Sequence, residues 1–183
     1  MPGPRPSAPA GAGGRSVGGR VHYDPMVSWQ EFEKEEPGFA GRVRELFDAH
    51  RHKTMATLRK DGSPRISGTE AQFKDGELWL GSMPGAVKAK DLRRDPRVAL
   101  HSASEDPDDA DPAAWAGDAK LAGRAVEVTD PKVLEEFGLS EQGAHLFRVE
   151  VAEVVRTFVA TGGTHLVVQM WHEGRGLREV RRE

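Results

Sequence analysis

The residues best suited to chemistry in this chain are cations. Lys88 and Arg94 fall on a short basic stretch, residues 86–94, with a helical pattern, and Arg65 falls on a strand-like run just after Pro64. The basic stretch follows directly on a strand end and the loop Met83-Pro84-Gly85. The free N–H groups and the dipole of its first turn would therefore favour an anion. Lysine adds a point charge and arginine a fork of donors, so Lys88 and Arg65 together could hold a phosphate monoester. A solvent-facing lysine would look the same in isolation, and it is the position after the loop that singles Lys88 out.

The elements that must position these groups are legible around them. Residues 55–59 alternate apolar and β-branched side chains, and Lys60-Asp61-Gly62-Ser63 supplies the Asp-Gly of a tight hairpin turn. A second strand runs from Pro64 to Phe73, Lys74-Asp75-Gly76 repeats the turn signal, and residues 77–82 read as a third strand. The helix over 86–94 then stops at Asp95-Pro96, before a short strand at 98–100. Further on, residues 119–128 read as a strand in which Gly123 permits a bend. Asp130 caps a short helix over 131–137. Residues 146–159 form a long strand whose change of phase near Ala152 predicts a bulge, and 165–172 return as its partner after a Gly-Gly turn. The arginine-rich end from Arg175 reads as surface. Short strands, glycine turns and few helices indicate a mainly β fold, a small antiparallel barrel with helical covers.

The order hairpin, strand, then K-x-x-D-L-R-R-D-P-R-V-A-L from Lys88 to Leu100 resembles the pyridoxamine 5′-phosphate oxidase-like, or flavin/deazaflavin oxidoreductase, superfamily of split β-barrels. The resemblance implies a split antiparallel barrel of the FMN-binding type. It makes Lys88, at its fixed distance before Pro96, a ligand of the flavin phosphate, and Arg65 a flavin contact. Backbone along Arg65, Ile66, Ser67 and Gly68, with its small residues, would border the ring, and Leu80, Gly81 and Ser82 would form the facing wall. The slot in such proteins usually lies between two subunits, so a homodimer is implied. The implied cofactor is FMN or, alternatively, the deazaflavin coenzyme F-420. His101, Trp115 and Trp171 are possible substrate-side groups.

Two departures bear on activity. Many relatives carry serine or arginine just before the lysine, where this chain has Ala86 and Val87. Vitamin B6 oxidases place a lysine for the substrate phosphate where Glu70 stands, and the Tyr and Arg they carry on a later helix are missing from residues 132–142. Oxidation of pyridoxine phosphate is therefore not expected.

Composition narrows the remaining classes. With 183 residues the chain can form one ordinary core, expected over residues 21–183. Residues 1–20 hold ten Gly or Pro and no aromatic, the composition of a flexible tail. A net charge of −3 gives no reason to expect nucleic-acid binding. The absence of cysteine excludes disulfides, thiolate metal sites and cysteine nucleophiles. No apolar run approaches the ~20 residues of a membrane helix, so a cytoplasmic location is expected. Phe39, Val43, Leu46 and Phe47 share one face of a helical region over 27–50 interrupted at Pro37, a core-facing stripe. His50 and His52 follow closely on one another but are not read as a metal site. The acidic run from Glu105 to Asp111 lacks calcium-loop spacing and reads as a solvated loop.

Two functions follow. The first is an oxidoreductase that moves a hydride to or from a small organic substrate by means of FMN or the deazaflavin, with no protein nucleophile needed. The second is a dimeric binding protein of the same fold, holding heme or another ligand without turnover, which Ala86 and Val87 favour.

Overall fold

The two Asp-Gly turns form as their residues require. The computed structural model describes residues 26–139 and 143–183, and in it Gly62 has φ +84° while Asp75 and Gly76 have φ +53° and +77°. The second pair is the double positive-φ step that matches the twist of two flanking antiparallel strands. The Gly/Pro-rich stretch 1–20 lies outside the described residues.

These turns join β1 (His52–Leu58), β2 (Pro64–Lys74) and β3 (Glu77–Ser82). The chain continues through β4 (Arg97–His101), β5 (Asp118–Val128), β6 (His145–Val159), β7 (Leu166–His172) and β8 (Gly176–Arg182). All pair antiparallel in the order β3-β2-β1-β4-β5-β6-β7-β8, and β3 also pairs with β6, which closes the first six strands into a barrel. β6 is long enough to serve two neighbours along one edge. Its residues 145–149 pair with β3 and 153–159 with β7, while Val27 bridges to Val151 in the gap between them.

The bulge expected near Ala152 is present. Ala122 pairs with Glu153 and Gly123 with Val151, so Ala152 is the extra residue. Gly123 has the backbone of Glu150 against it: a Cβ there would lie 1.9 Å from the Glu150 carbonyl oxygen.

Helix α1 (Trp29–Glu35) is opened by a capping box between Ser28 and Glu31, and α2 (Pro37–Asp48) begins with Pro37 at its first turn, so the break foreseen at the proline separates two helices. Phe39, Val43 and Phe47 of α2 and Trp29 and Phe32 of α1 are buried against Met55, Leu80, Leu100, Leu121 and Val149 of the barrel. An aromatic chain runs through this core, Phe73 to Trp29 at 4.5 Å, Trp29 to Phe32 at 5.0 Å and Phe32 to Trp171 at 4.7 Å between centroids. Each such side chain contributes ~1.5–3 kcal/mol by leaving water, which makes this lid the main tie between the helical segment and the barrel.

Helix α3 (Val87–Arg94) lies between β3 and β4, and α4 (Pro131–Glu136) is capped by the Asp130 side chain. The end of the chain departs from the sequence reading. Residues 178–183 are exposed as expected, but Leu177 is half-buried against the core, and residues 176–182 form a strand, β8, for which no element was expected. No helix among the described residues is long and apolar enough to cross a membrane.

Candidate functional site

Strand β1 presents Lys53, Met55 and Thr57 to one side by simple alternation, and all three are buried. Across the pair, Lys53 is opposite Thr69 and Thr54 is opposite Gly68. The adjacent strand β3 ends at Gly81 and Ser82, and the loop after it leads into α3 with Gly85 at φ +74°. These segments, together with the α2–β1 turn, enclose a cavity of about 700 Å³. One wall is polar, with His50, Arg51, His52, Lys53, Glu70 and Lys88; the other holds Trp79, Phe137, Leu139 and Leu146. The Trp79 and Phe137 rings are in contact, with centroids 4.9 Å apart.

At the α3 end of this cavity the groups are arranged for an anion. Ala86 at the N-cap offers no side-chain bond to the first turn; the Ala89 N–H turns back to the Ala86 carbonyl at 3.1 Å, which leaves those of Val87 and Lys88 for a ligand. Lys88 Nζ donates to the Gly68 carbonyl at 2.7 Å. Burial pulls the Lys88 ammonium below the usual lysine range, with Glu70 opposing the shift. The hydroxyl of Ser82 is buried and has no hydrogen-bond partner. A buried hydroxyl left without a partner costs free energy, and a ligand oxygen would offset that once the Ser82 side chain turned toward the cavity. A phosphate-bearing aromatic cofactor fits these residues: the volume falls in the range of ordinary cofactor clefts, the unpartnered hydroxyl and uncapped helix meet its charge, and Trp79 and Phe137 supply an aromatic wall.

Of the residues expected to make the site, Gly68, Gly81, Ser82 and Lys88 are brought together around this one cavity. Leu80 is 2 % exposed in the core and does not line this cavity, Ile66 is 76 % exposed, and Ser67 is half-buried outside the lining. Arg65 is elsewhere. Its Nε donates to Asp91 Oδ2 at 2.6 Å, and it lines a separate open hollow with Arg59, Lys60, Asp61 and Arg94. Asp91 also accepts from Arg94 at 3.0 Å and from Thr57 at 3.2 Å. Burial alone would raise its pKa, but the bonds from Arg65 and Arg94 outweigh that and hold the carboxyl below its usual range.

The three candidate substrate-side residues are dispersed. His101 Nδ1 lies 2.6 Å from the Ser102 carbonyl, Trp115 Nε1 donates to the Glu105 carbonyl at 2.8 Å in the acidic loop, and Trp171 is sealed in the core. None of them lines the cavity.

Sequence reasoning missed Lys53, Trp79 and the histidines. β1 begins at His52, not Met55, so His50 lies just before the strand, and both histidines line the cavity. Even so, no group of three His, Asp or Glu side chains among the described residues could hold a metal ion. The available signal for Lys53 was its place in phase with Met55 and Thr57, a lysine in the inward register of a strand.

Comparison with known proteins agrees with this fold. The sequence model of the pyridoxamine 5′-phosphate oxidase family matches residues 39–169. No curated protein matches the sequence. Among solved structures, a pyridoxamine 5′-phosphate oxidase-related, FMN-binding protein of Nostoc punctiforme is similar with a TM-score of 0.53 at 10 % identity, over 81 % of this chain and 96 % of that one. A heme-binding protein of Mycobacterium smegmatis is similar at 0.51 and 15 % identity, over 76 % and 86 % of the two chains. A conserved hypothetical protein of Mycobacterium tuberculosis gives 0.52 at 21 % identity, over 62 % and 81 %. At such identities the likeness is one of fold.

Proposed function

Because the chain belongs to the pyridoxamine 5′-phosphate oxidase family, its match extending over residues 39–169, we propose that it binds FMN in the cavity between β2, β3 and α3 and serves as an oxidoreductase for a small organic substrate. The observation that carries this reading is the buried, unpartnered hydroxyl of Ser82 beside Lys88 and the uncapped start of α3. Lys88, Ser82 and the first-turn N–H groups would hold the phosphate, and the Trp79–Phe137 side would exclude water from the ring. The flavin, when bound, supplies the hydride chemistry, which explains why no nucleophile and base pair is needed. Glu70, on the polar wall, would repel a substrate phosphate, so pyridoxine phosphate is not the substrate.

The deazaflavin coenzyme F-420 is the alternative cofactor, and the same residues would meet it. A homodimer is part of the proposal: Ile66 of β2, Met83 of the loop into α3 and Val87 at the start of α3 are 76 %, 78 % and 53 % exposed, apolar side chains suited to a second subunit. The absorption spectrum of the purified protein, followed by titration with FMN and with the deazaflavin, tests the assignment. Yellow protein with flavin bands, or saturable uptake of either compound, is expected; colourless protein that takes up neither removes it.

A second reading has its own observation. Ala86 and Val87 bring no side-chain donor to the phosphate end, while His50 and His52 both line the cavity. A binding protein holding heme without turnover would show a Soret band on hemin titration where FMN gives no signal.

A further inference from the structure

The charges around the cavity are unevenly paired. Its two acids already have arginine partners: Glu70 accepts from Arg51 Nε at 3.0 Å and Asp48 from Arg44 Nε at 3.5 Å. Among the described residues, its two lysines have no acidic partner in contact: Lys88 Nζ meets the Gly68 carbonyl, and Lys53 Nζ meets the carbonyls of His50 and, at 3.2 Å, of Arg51. Lys53 is 5 % exposed. Burial draws it below the usual lysine range while Asp48 and Glu70 oppose the shift through space only. A desolvated ammonium with no counter-charge in contact is costly, and an anion delivered to it would offset that cost.

The two lysines flank the same short piece of β2, since Lys88 bonds the Gly68 carbonyl and Lys53 is opposite Thr69. The uncapped helix and the free Ser82 hydroxyl lie at the Lys88 end alone. We infer that Lys53 is a second anion subsite of this cavity, which takes the carboxylate of an organic acid whose apolar body lies on the Trp79, Phe137 and Leu139 wall. A carboxylate suits it better than a phosphate because Glu70 stands nearby and a dianion would be repelled more strongly than a monoanion. The inference rests on the cavity being the ligand site, and it deepens the oxidoreductase reading by naming the substrate class. A porphyrin propionate carries the same chemistry and is separated from a small acid by the test.

The test uses the full chain and calorimetric titration with benzoate and with benzamide, its neutral analogue of the same shape. Benzoate should bind at least about tenfold more tightly, as expected for a charge-assisted bond to an ionised donor. Lys53→Met should bring the two to equal affinity, and Lys53→Arg should keep the preference. If Lys53 merely stitches the turn from α2 to β1, Lys53→Met lowers the melting temperature and leaves the benzoate-to-benzamide ratio unchanged, which overturns the inference. Equal binding of both probes by the wild type overturns it without any variant, should Lys53→Met fail to fold. Loss of benzoate binding in Lys88→Met but not in Lys53→Met also overturns it. Hemin and hemin dimethyl ester form a second arm: a Lys53-dependent preference for hemin assigns the carboxylate to a porphyrin, and a preference seen only with benzoate assigns it to a small acid. Titrating FMN into the same samples separates the failures, since benzoate discrimination without FMN uptake removes the flavin and not this subsite.

Discussion

Arg65 and Lys88, the two cations that the sequence groups around one phosphate, face different spaces: Lys88 bonds the Gly68 carbonyl in the wall of the cavity, whereas Arg65 is held 2.6 Å from Asp91 in a separate hollow. Arg65 thereby joins β2 to α3, and it fixes the helix that carries Lys88 instead of lending its own fork to the ligand.

Lys88→Ala should lower FMN affinity by roughly one to two powers of ten, the worth of a charge-assisted hydrogen bond of ~1.5–3 kcal/mol. The melting temperature should hardly move, because the half-exposed side chain makes one bond to a carbonyl. Titrations at two salt concentrations check the mechanism, since the lost contact should also weaken the salt dependence. Equal affinity in the two proteins would remove Lys88 from the site.

Asp91→Asn should destabilise the fold by about 2–4 kcal/mol, for it leaves two guanidiniums facing a neutral amide whose predecessor was 4 % exposed. The effect depends on pH in a definite direction. The folded carboxyl titrates below its unfolded value, so its stabilisation is complete above the ordinary carboxylate range and disappears as pH falls through the depressed folded value. The difference in melting temperature between wild type and variant should therefore be constant at neutral pH, begin to narrow near about pH 4 and close as pH falls through the depressed folded value. A gap that persists unchanged at lower pH would mean that the carboxylate charge is not what holds Arg65.

Gly123→Ala should cost about 3 kcal/mol or more, because its methyl group would stand 1.9 Å from the Glu150 carbonyl oxygen across the bulge. Thermal unfolding should shift down by roughly 6–12 °C for a chain of this size. A shift within a degree or two would show that the bulge relaxes freely.

Ile66→Lys tests the proposed homodimer. Sedimentation at micromolar concentration should give a dimer for the wild type and a monomer for the variant, whose charge would fall on a side chain that is 76 % exposed in the single chain. FMN affinity should drop with dissociation if the second subunit completes the slot. A monomeric wild type would end the proposal.

What the sequence revealed follows its local signals. The Asp-Gly turns, the helix break at Pro37 and the phase change at Ala152 were readable because each is written within a few neighbouring residues. Arg65 was misleading since its partner, Asp91, lies 26 residues away on another element, and no local pattern reports such a pairing. β8 escaped notice because Leu177 and Val180 are three apart, which hides the period of two beneath arginines. Lys53 was passed over because a lysine is ordinarily solvated, and only its register with Met55 and Thr57 hints otherwise.

The closure of β3 onto β6 also decides where the molecule could grow. β2 is open on one side over residues 64–70, where it pairs with β1 alone, but among the described strands β8 is the one that lacks a partner along a whole edge, a row of main-chain groups on which a foreign strand could add. Four of its seven residues, Arg178, Glu179, Arg181 and Arg182, are charged and exposed. Such a guard makes accretion into a wider sheet require burying or stripping several ions at once. Replacing Arg178 and Arg181 by threonine should therefore show itself as turbidity on storage while cofactor uptake by the soluble fraction stays intact: colloidal behaviour in this chain is governed from the ribbon beyond the barrel, and ligand chemistry from the cavity at β2 and β3.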